Sequence, residues 1–286
     1  MSTPLVSVLI TAYQREQYIA AAIESVLAQT FDDFELIIVD DGSVDRTLEI
    51  ARQHTTSPRV QVHVNPANLG DYANRNRAAA LARGRFLKYL DADDIMYPHC
   101  LEIMTQQMER FPEAALGLQS EVAYKWPQPL PLLLSPAEAY REHFFRQGIL
   151  DQGPTGAMLR ADVFHKFGGF VPERYTGDTE LFLLLARQAP IVVCCKGLTW
   201  WRRHPGQESM LELSDGPVLA KRYWIILKAL AAKDCPLEPR ERRQAVRRVR
   251  KKILESAAVI ARHGKLRLAW LLCGTVLMTK CRIPTR

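Results

Sequence analysis

Four short apolar runs, each ending in polar residues and followed by a helical pattern or a turn, organise the first hundred residues of this chain. Val6–Tyr13 is rich in β-branched residues and reads as a buried strand. Phe34–Asp40 (Phe-Glu-Leu-Ile-Ile-Val-Asp) reads as a second, Val60–Asn65 as a third, and Arg85–Leu90, running into Asp91, as a fourth. Between them Ile19, Ile23, Val26 and Leu27 recur at helical spacing, Asp45–Gln53 reads as a short helix and Gly70–Arg83 as an Ala-rich one. Such alternation predicts right-handed βαβ units, a largely parallel sheet and helices on both of its faces. Ligands of such sheets bind at the carboxyl ends of the strands. Thr11 and Tyr13, Asp40 and Asp41, Asn65 and Asn68, and Asp91, Asp93 and Asp94 all fall there.

Beyond this region, Pro98 is expected in the first turn of the next helix. Residues 127–136, rich in Pro and Leu, read as a linker or a lid-type loop. A second αβ stretch runs to about residue 204, and from 215 onward the pattern is helical and basic. Residues 1–216 carry 20 Lys/Arg against 27 Asp/Glu, whereas residues 217–286 carry 18 against 4, so the two parts are expected to face different partners. The six cysteines contain no Cys-x-x-Cys pair, which argues against a zinc or redox motif and fits a reducing, cytoplasmic setting. Met1–Pro4 leads straight into the first strand with no basic leader-type segment.

Leu90-Asp91-Ala92-Asp93-Asp94 carries the strongest chemical signal. Three carboxylates within four residues repel one another, so closing them together at a strand end is costly without a cation. Their hard oxygens suit Mg2+ or Mn2+, and Mg2+ takes one or two protein carboxylates together with substrate phosphates. The strand end is therefore expected to hold a divalent metal and, through it, a nucleoside diphosphate. Read alone, the same cluster also suits a solvated acidic turn or a helix cap. Val39-Asp40-Asp41-Gly42-Ser43 offers a carboxylate, a tight turn and a capping hydroxyl. Beside Thr11-Ala12-Tyr13 it makes a base pocket in which Tyr13 is available to stack on a ring.

These segments, in this order and with Ser25-Val26-Leu27-Ala28-Gln29-Thr30 between the first two, resemble glycosyltransferase family 2 over about residues 4–210. The resemblance implies a GT-A fold, an α/β Rossmann-like architecture with a mixed, largely parallel sheet, here followed by a basic helical extension. It implies a donor-binding half at residues 1–99, an acceptor-binding and catalytic-base half at 100–214, and the extension at 215–286. It also implies inverting transfer of a sugar from a nucleotide diphosphate donor, with UDP-sugars preferred. By that resemblance Thr11, Ala12, Tyr13 and Asp41 hold the nucleoside, Asp91 and Ala92 lie nearer the ribose, and Asp93 is the favoured metal ligand with Asp94 beside it. Asn68 and Asn76 fall in the family's Asn-x-Gly and Ala-Arg-Asn positions, where Asn74 replaces the usual Ala. Arg75 suits either an anionic partner or a surface position. The family's usual Glu-Asp before a helix is Gly177-Asp178 here, which makes Asp178 the expected base and Glu180 the reserve. Gly153–Met158 resembles the small-residue segment that precedes the turn at Phe167–Phe170 and lets an acceptor sugar approach the backbone. Trp200-Trp201-Arg202-Arg203-His204 resembles a segment that closes over the diphosphate. There His204 would reach metal or phosphate, and Arg202 or Arg203 the leaving-group charge. The processive Gln-x-x-Arg-Trp pattern is absent, so a single addition is expected.

Arg240–Lys252 reads as a basic helix, and Leu268–Thr279 as an apolar stretch too short to span a bilayer. Residues 238–286 thus suit an anionic membrane surface, peripheral on the inner face of the cytoplasmic membrane, or a helical cap on the sheet. No nucleic-acid module accompanies the charge. The expected role is cell-surface polysaccharide synthesis on a glycan or lipid-linked acceptor. A nucleotidyltransferase is the alternative enzyme, although Thr11–Tyr18 offers only Arg15 where that class wants a Gly-rich basic loop. A non-catalytic nucleotide-sugar binder is the other alternative.

Overall fold

A computed structural model describes residues 3–120, 126, 128–204, 207 and 216–278. Ten strands are described: β1 Val6–Ala12, β2 Phe34–Asp40, β3 Val60–Val64, β4 Phe86–Asp91, β5 Ile95–Met96, β6 Leu116–Gln119, β7 Leu132–Leu134, β8 Ala157–Arg160, β9 Ile191–Cys194 and β10 Thr199–Trp200. The α-helices are α1 Ile19–Leu27, α2 Thr47–Gln53, α3 Asp71–Leu81, α4 Cys100–Arg110, α5 Pro136–Arg141, α6 Ala161–Lys166, α7 Gly177–Gln188, α8 Gly216–Ala231, α9 Pro239–Arg262 and α10 Leu266–Met278.

The main sheet has the order β3-β2-β1-β4-β8-β6-β9-β7. β1 to β4 run parallel, β8 lies antiparallel between β4 and β6, and β7 runs antiparallel to β9. The expected mixed, largely parallel α/β sheet is therefore present. Alternate residues of each central strand feed two separate cores, because side chains on a strand alternate between faces. Leu9, Ile37, Val39, Leu87 and Tyr89 enter one core, which also holds Leu183 of α7 and Leu227 of α8. Val8, Ile10, Leu36, Ile38 and Leu90 enter the other, against Ile23 of α1 and Met104 of α4. Burial on both faces explains the near-continuous apolar runs.

Several boundaries differ from the sequence expectation. The third strand stops at Val64, and Asn65 turns inward to donate to Asp41 and Asn74. Gly70, at φ +89°, precedes α3 rather than beginning it. Pro98 sits before α4, not in its first turn, and its carbonyl accepts from Thr30 N. The second half of the expected linker at 127–136 is largely regular structure, and residue 127 lies outside the described residues. Leu132, Leu133 and Leu134 form the sheet-edge strand β7, and Ser135 and Glu138 close a capping box on α5 with Pro136 in the first turn. Leucines against a sheet edge remove apolar surface from water, which an exposed linker would not do. An edge strand also tolerates the flanking prolines.

The basic extension packs on the body. Ala245, Val249 and Ile253 of α9 and Leu272 of α10 are buried in the core shared with α7 and α8. Arg243, Arg247, Lys251 and Lys252 are exposed on its outer face, whereas Arg242 is buried and donates to Leu230 O.

Candidate active site

A cavity of about 580 Å³ opens at the carboxyl ends of β1, β2 and β4. Of the expected site residues, Thr11, Ala12, Tyr13, Asp41, Asn68, Asp91, Ala92 and Asp93 line it. Four charged residues to which sequence reasoning gave no definite place there line it too: Arg15, Asp71, Arg75 and Arg174.

The turn after β1 is clipped to the loop after β2. Gln14, at φ +53°, donates its backbone N–H to Ser43 Oγ at 2.9 Å, and Arg15 N donates to Thr47 Oγ1 at 2.7 Å. Asp41 organises the next wall: Oδ1 accepts from Asn65 Nδ2 and Leu69 N, and Oδ2 from Gly70 N, all within 2.9 Å. It therefore holds the Asn68-Leu69-Gly70 loop in place, beyond the nucleoside contact the resemblance implies.

The acidic loop after β4 is threaded with cations. Arg75 is buried and reaches Asp91 Oδ1 at 2.7 Å and Asp71 Oδ1 at 2.8 Å, which decides between its two expected settings in favour of an anionic partner. Its Nη1 is buried with no partner among the described residues. Asp93 Oδ2 accepts from Arg15 Nε at 2.9 Å and lies 3.0 Å from His204 Nε2. Arg202 donates its backbone N–H to Asp94 Oδ1 at 3.0 Å and its Nε to Asp93 O at 2.8 Å. Its guanidinium also lies over the rings of Tyr18 and Trp200, and His204 stacks against Tyr18. The short ribbon of β5 and β10, pairing Ile95 with Trp200, brings this late segment onto the loop. Arg202, His204 and Asp94 thus back the acidic loop rather than line the cavity.

Burial, with the Asp91 charge beside it, pushes the Asp94 carboxyl up to about 8. Among the described residues no group of three or more His, Cys, Asp or Glu forms a metal cage. Asp93 with His204 fits a divalent ion that takes its remaining ligands from a diphosphate and water.

Lys88, in the middle of β4, is fully buried and donates to the carbonyls of Tyr89 and Thr155. Burial lowers its pKa. Burying an ammonium costs about several kcal/mol, and the two acceptors offset part of this. The adjoining hydroxyl, Thr155 Oγ1, accepts from Asp91 N at 3.0 Å, so Lys88 and the Pro154–Gly156 turn together buttress the acidic loop.

Asp178 is the second residue of α7, buried, with Oδ1 accepting from Thr179 N at 2.6 Å. Burial raises its pKa, while the Arg222 charge and a Tyr72 hydrogen bond hold it back. It is not among the residues lining the cavity; the link runs through Tyr72 of α3, whose ring lies near Arg75. Glu180 faces away, 3.5 Å from Lys228 of α8. Asn76 is also absent from the cavity: its amide gives Nδ2 to Phe170 O at 2.7 Å and takes Phe170 N on Oδ1 at 2.9 Å. It clips α3 to the Phe167–Phe170 turn.

The Gly at 177 has a local cause. A Cβ there would lie 2.6 Å from Tyr72 Cγ. Gly177→Ala is expected to destabilise the protein by about 1–3 kcal/mol through overpacking. Chemical denaturation checks this, and the cost should shrink in a Tyr72→Ala background because the two side chains share one space.

The family model described as Glycosyl transferase family 2 matches residues 7–168, from the first strand to the turn clipped by Asn76. The chain belongs to glycosyltransferase family 2. This family-2 chain is 36% identical to the putative glycosyltransferase EpsE of Bacillus subtilis (strain 168) over 63% of its own length and 64% of the relative's. It is 39% identical to the chondroitin synthase of Escherichia coli over 37% of its length and 16% of the relative's. It therefore spans less than two thirds of either relative. Among solved structures it resembles S. aureus TarS 1–349 in complex with UDP-GlcNAc, with TM-score 0.69, 16% identity and coverage of 96% of this chain and 91% of that one. The mannosyltransferase PcManGT from Pyrobaculum calidifontis in complex with GDP-Man and Mn2+ gives TM-score 0.66 at 14% identity, covering 98% and 88%. At these identities the likeness is one of fold, and it is the GT-A fold.

Proposed function

We propose that this chain transfers a sugar, with inversion, from a nucleoside diphosphate donor to a glycan or lipid-linked acceptor in polysaccharide synthesis. UDP-sugars are the first candidates, and the reaction depends on Mg2+ or Mn2+. One observation carries the reading: a buried guanidinium nitrogen of Arg75, without a partner among the described residues, on the wall of a strand-end cavity that also holds Asp91 and Asp93. That combination suits a polyphosphate with its counter-ion.

Thr11, Tyr13 and the loop held by Asp41 receive the nucleoside. Arg75 offers Nη1 to the diphosphate. Asp93, with His204 beside it, holds the divalent ion, which when bound neutralises charge on the departing diphosphate. Arg202, fixed by Asp93, Asp94 and two rings, adds a positioned positive charge next to the same loop. Asp178 takes the proton of the attacking hydroxyl. A panel of nucleotide sugars incubated with Mn2+ or Mg2+ tests this: metal-dependent hydrolysis or binding of a UDP-sugar is expected. Neither hydrolysis nor metal-dependent binding of any donor overturns it.

We further propose that α10 rests on an anionic membrane surface. Leu266 and Trp270 are exposed on it, 68% and 78%, with Lys265 and Arg267 adjoining, a pattern suited to the lipid interface. No helix among the described residues is long and apolar enough to cross a membrane. Deleting residues 238–286 would strip buried side chains from the core, so point changes are the cleaner probe. Trp270→Asp is expected to lower flotation with phosphatidylserine vesicles several-fold. Equal recovery of both proteins excludes membrane docking through this helix.

A further inference from the structure

The first helix of the basic extension, α8, lies against α7, the helix that carries the expected base. Its Leu227 shares a core with Leu183 of α7. Residues three, four and seven apart share one face of a helix. Leu219, Ile226 and Ala229 stand at those spacings from Arg222. Ile226 and Ala229 are buried in the shared core, and Leu219 packs against it. Arg222 thus belongs to the apolar face of α8, and its Nε is buried. A cation placed there is costly unless an anion answers it. Asp178, in the first turn of α7 and 8% exposed, is a buried carboxylate within reach of its charge.

The carboxylates on either side of Asp178 are met by other cations of the same helix. Lys221 pairs with Glu173, in the loop before α7, and Lys228 stands 3.5 Å from Glu180. Lys221 and Lys228 are two turns apart and share a face roughly 100° round the helix from Arg222. On the α3 side, Tyr72 gives Asp178 a hydrogen bond, and Arg75, whose charge also reaches it, is committed to Asp71 and Asp91. On α7 itself Asp178 Oδ1 accepts from Thr179 N and Thr179 Oγ1. Burial raises the Asp178 pKa, and the Arg222 charge stands first among the influences that lower it.

We infer that Arg222 is a positioning residue for the sugar-transfer reaction: from the extension it pairs with the Asp178 carboxylate and holds it as the anion that takes the acceptor's proton. The inference rests on the transferase reading given above, with Asp178 as its base. Arg222 does not line the donor cavity, so it acts through Asp178. A neutral side chain at 222 would leave a buried carboxylate to find its proton earlier, and a protonated carboxyl cannot serve as a base. The basic extension is then part of the catalytic unit, because the helix that supplies Arg222 completes the surroundings of the base.

Hydrolysis of UDP-glucose, UDP-galactose, UDP-GlcNAc and UDP-glucuronate with Mn2+, in which water takes the acceptor's place, provides the assay. The donor that turns over fastest is then followed across pH. Arg222→Met keeps the apolar face of α8 and removes the charge. It is expected to move the acidic limb of kcat up by about one pH unit, the size of shift a nearby opposite charge produces. The rate then falls about tenfold on the acidic side of the profile and little on the alkaline side. The KM for the donor and the affinity for UDP should stay as they are, and Arg222→Lys should return the limb to its place. A limb that does not move in Arg222→Met, a loss of kcat equal at every pH, or an Arg222→Lys variant no better than Arg222→Met overturns the inference. Chemical denaturation gives a second reading that needs no turnover. Arg222→Met leaves the buried carboxylate without its cation, whereas Arg222→Met combined with Asp178→Asn does not. The double variant should therefore unfold at a higher denaturant concentration than Arg222→Met alone, and a midpoint no higher overturns the inference while leaving the transferase reading standing. If the unaltered protein neither binds nor hydrolyses any of the four donors, the transferase reading falls and takes this inference with it.

Discussion

Asp178→Asn lowers kcat by about 10²- to 10⁴-fold, the range expected for losing a positioned general base. Asn keeps an acceptor oxygen for Thr179 N, so α7 retains its first turn and the protein its fold. What disappears is the carboxylate that can take a proton from the attacking hydroxyl. Burial raises the Asp178 pKa, and the base works only when ionised. The acidic limb of kcat should therefore lie above the ordinary carboxylate range, with the rate falling as pH drops through it. Asp178→Asn should flatten that limb while the affinity for UDP stays unchanged. A variant that keeps most of its kcat, or keeps the limb, takes the base role away from Asp178. Its place behind Tyr72 is not an obstacle, because catalytic hydrogen bonds often tighten only in the substrate complex.

The second large effect is expected at Asp93. Asp93→Ala should lower kcat/KM by about 10³-fold, several kcal/mol of charge stabilisation at the departing diphosphate. Titration of Mn2+ in the presence of UDP gives a readout independent of turnover, and the heat of metal binding should vanish. The same change leaves Arg15 and His204 without their shared carboxylate oxygen, so a purely structural loss must be separated. Arg15→Gln serves that purpose: it breaks the same ion pair but leaves Asp93, and should retain metal binding. If Arg15→Gln abolishes Mn2+ binding as fully as Asp93→Ala, the pair is scaffolding and Asp93 is not the ligand.

The parallel half of the fold was legible because a doubly buried strand must be a nearly unbroken apolar run. Val6–Ala12 and Phe34–Asp40 met that condition, and the polar residues beyond them marked the cavity. The sequence was less informative where partners lie far apart in the chain. Arg15 reaches Asp93 across 78 positions, and His204 reaches it across 111. No periodicity records such a pairing. Asn76 sat at a matching position in the family pattern, yet both ends of its amide are satisfied by the Phe170 backbone 94 residues on. Lys88 was unreadable for another reason: a lysine inside an apolar strand gives no sign of the two carbonyls that await it. The leucines at 132–134 were masked by the prolines around them, which suit a linker and an edge strand equally well.

The contact between Gly177 and Tyr72 also bears on how this sequence can change. Where the family usually carries Glu-Asp, this chain carries Gly177-Asp178, and the Tyr72 ring fills the room a side chain at 177 would need. Restoring the glutamate alone would meet the ring, and shrinking Tyr72 alone would open a void between α3 and α7. Each single step is deleterious in the background of the other residue, so the two positions form an epistatic pair with no neutral one-step route between its two states. A single-substitution scan of this chain would score glutamate at 177 as harmful, although the family pattern that the sequence resembles has glutamate there. Only a library that varies 72 and 177 together would recover the family's usual arrangement.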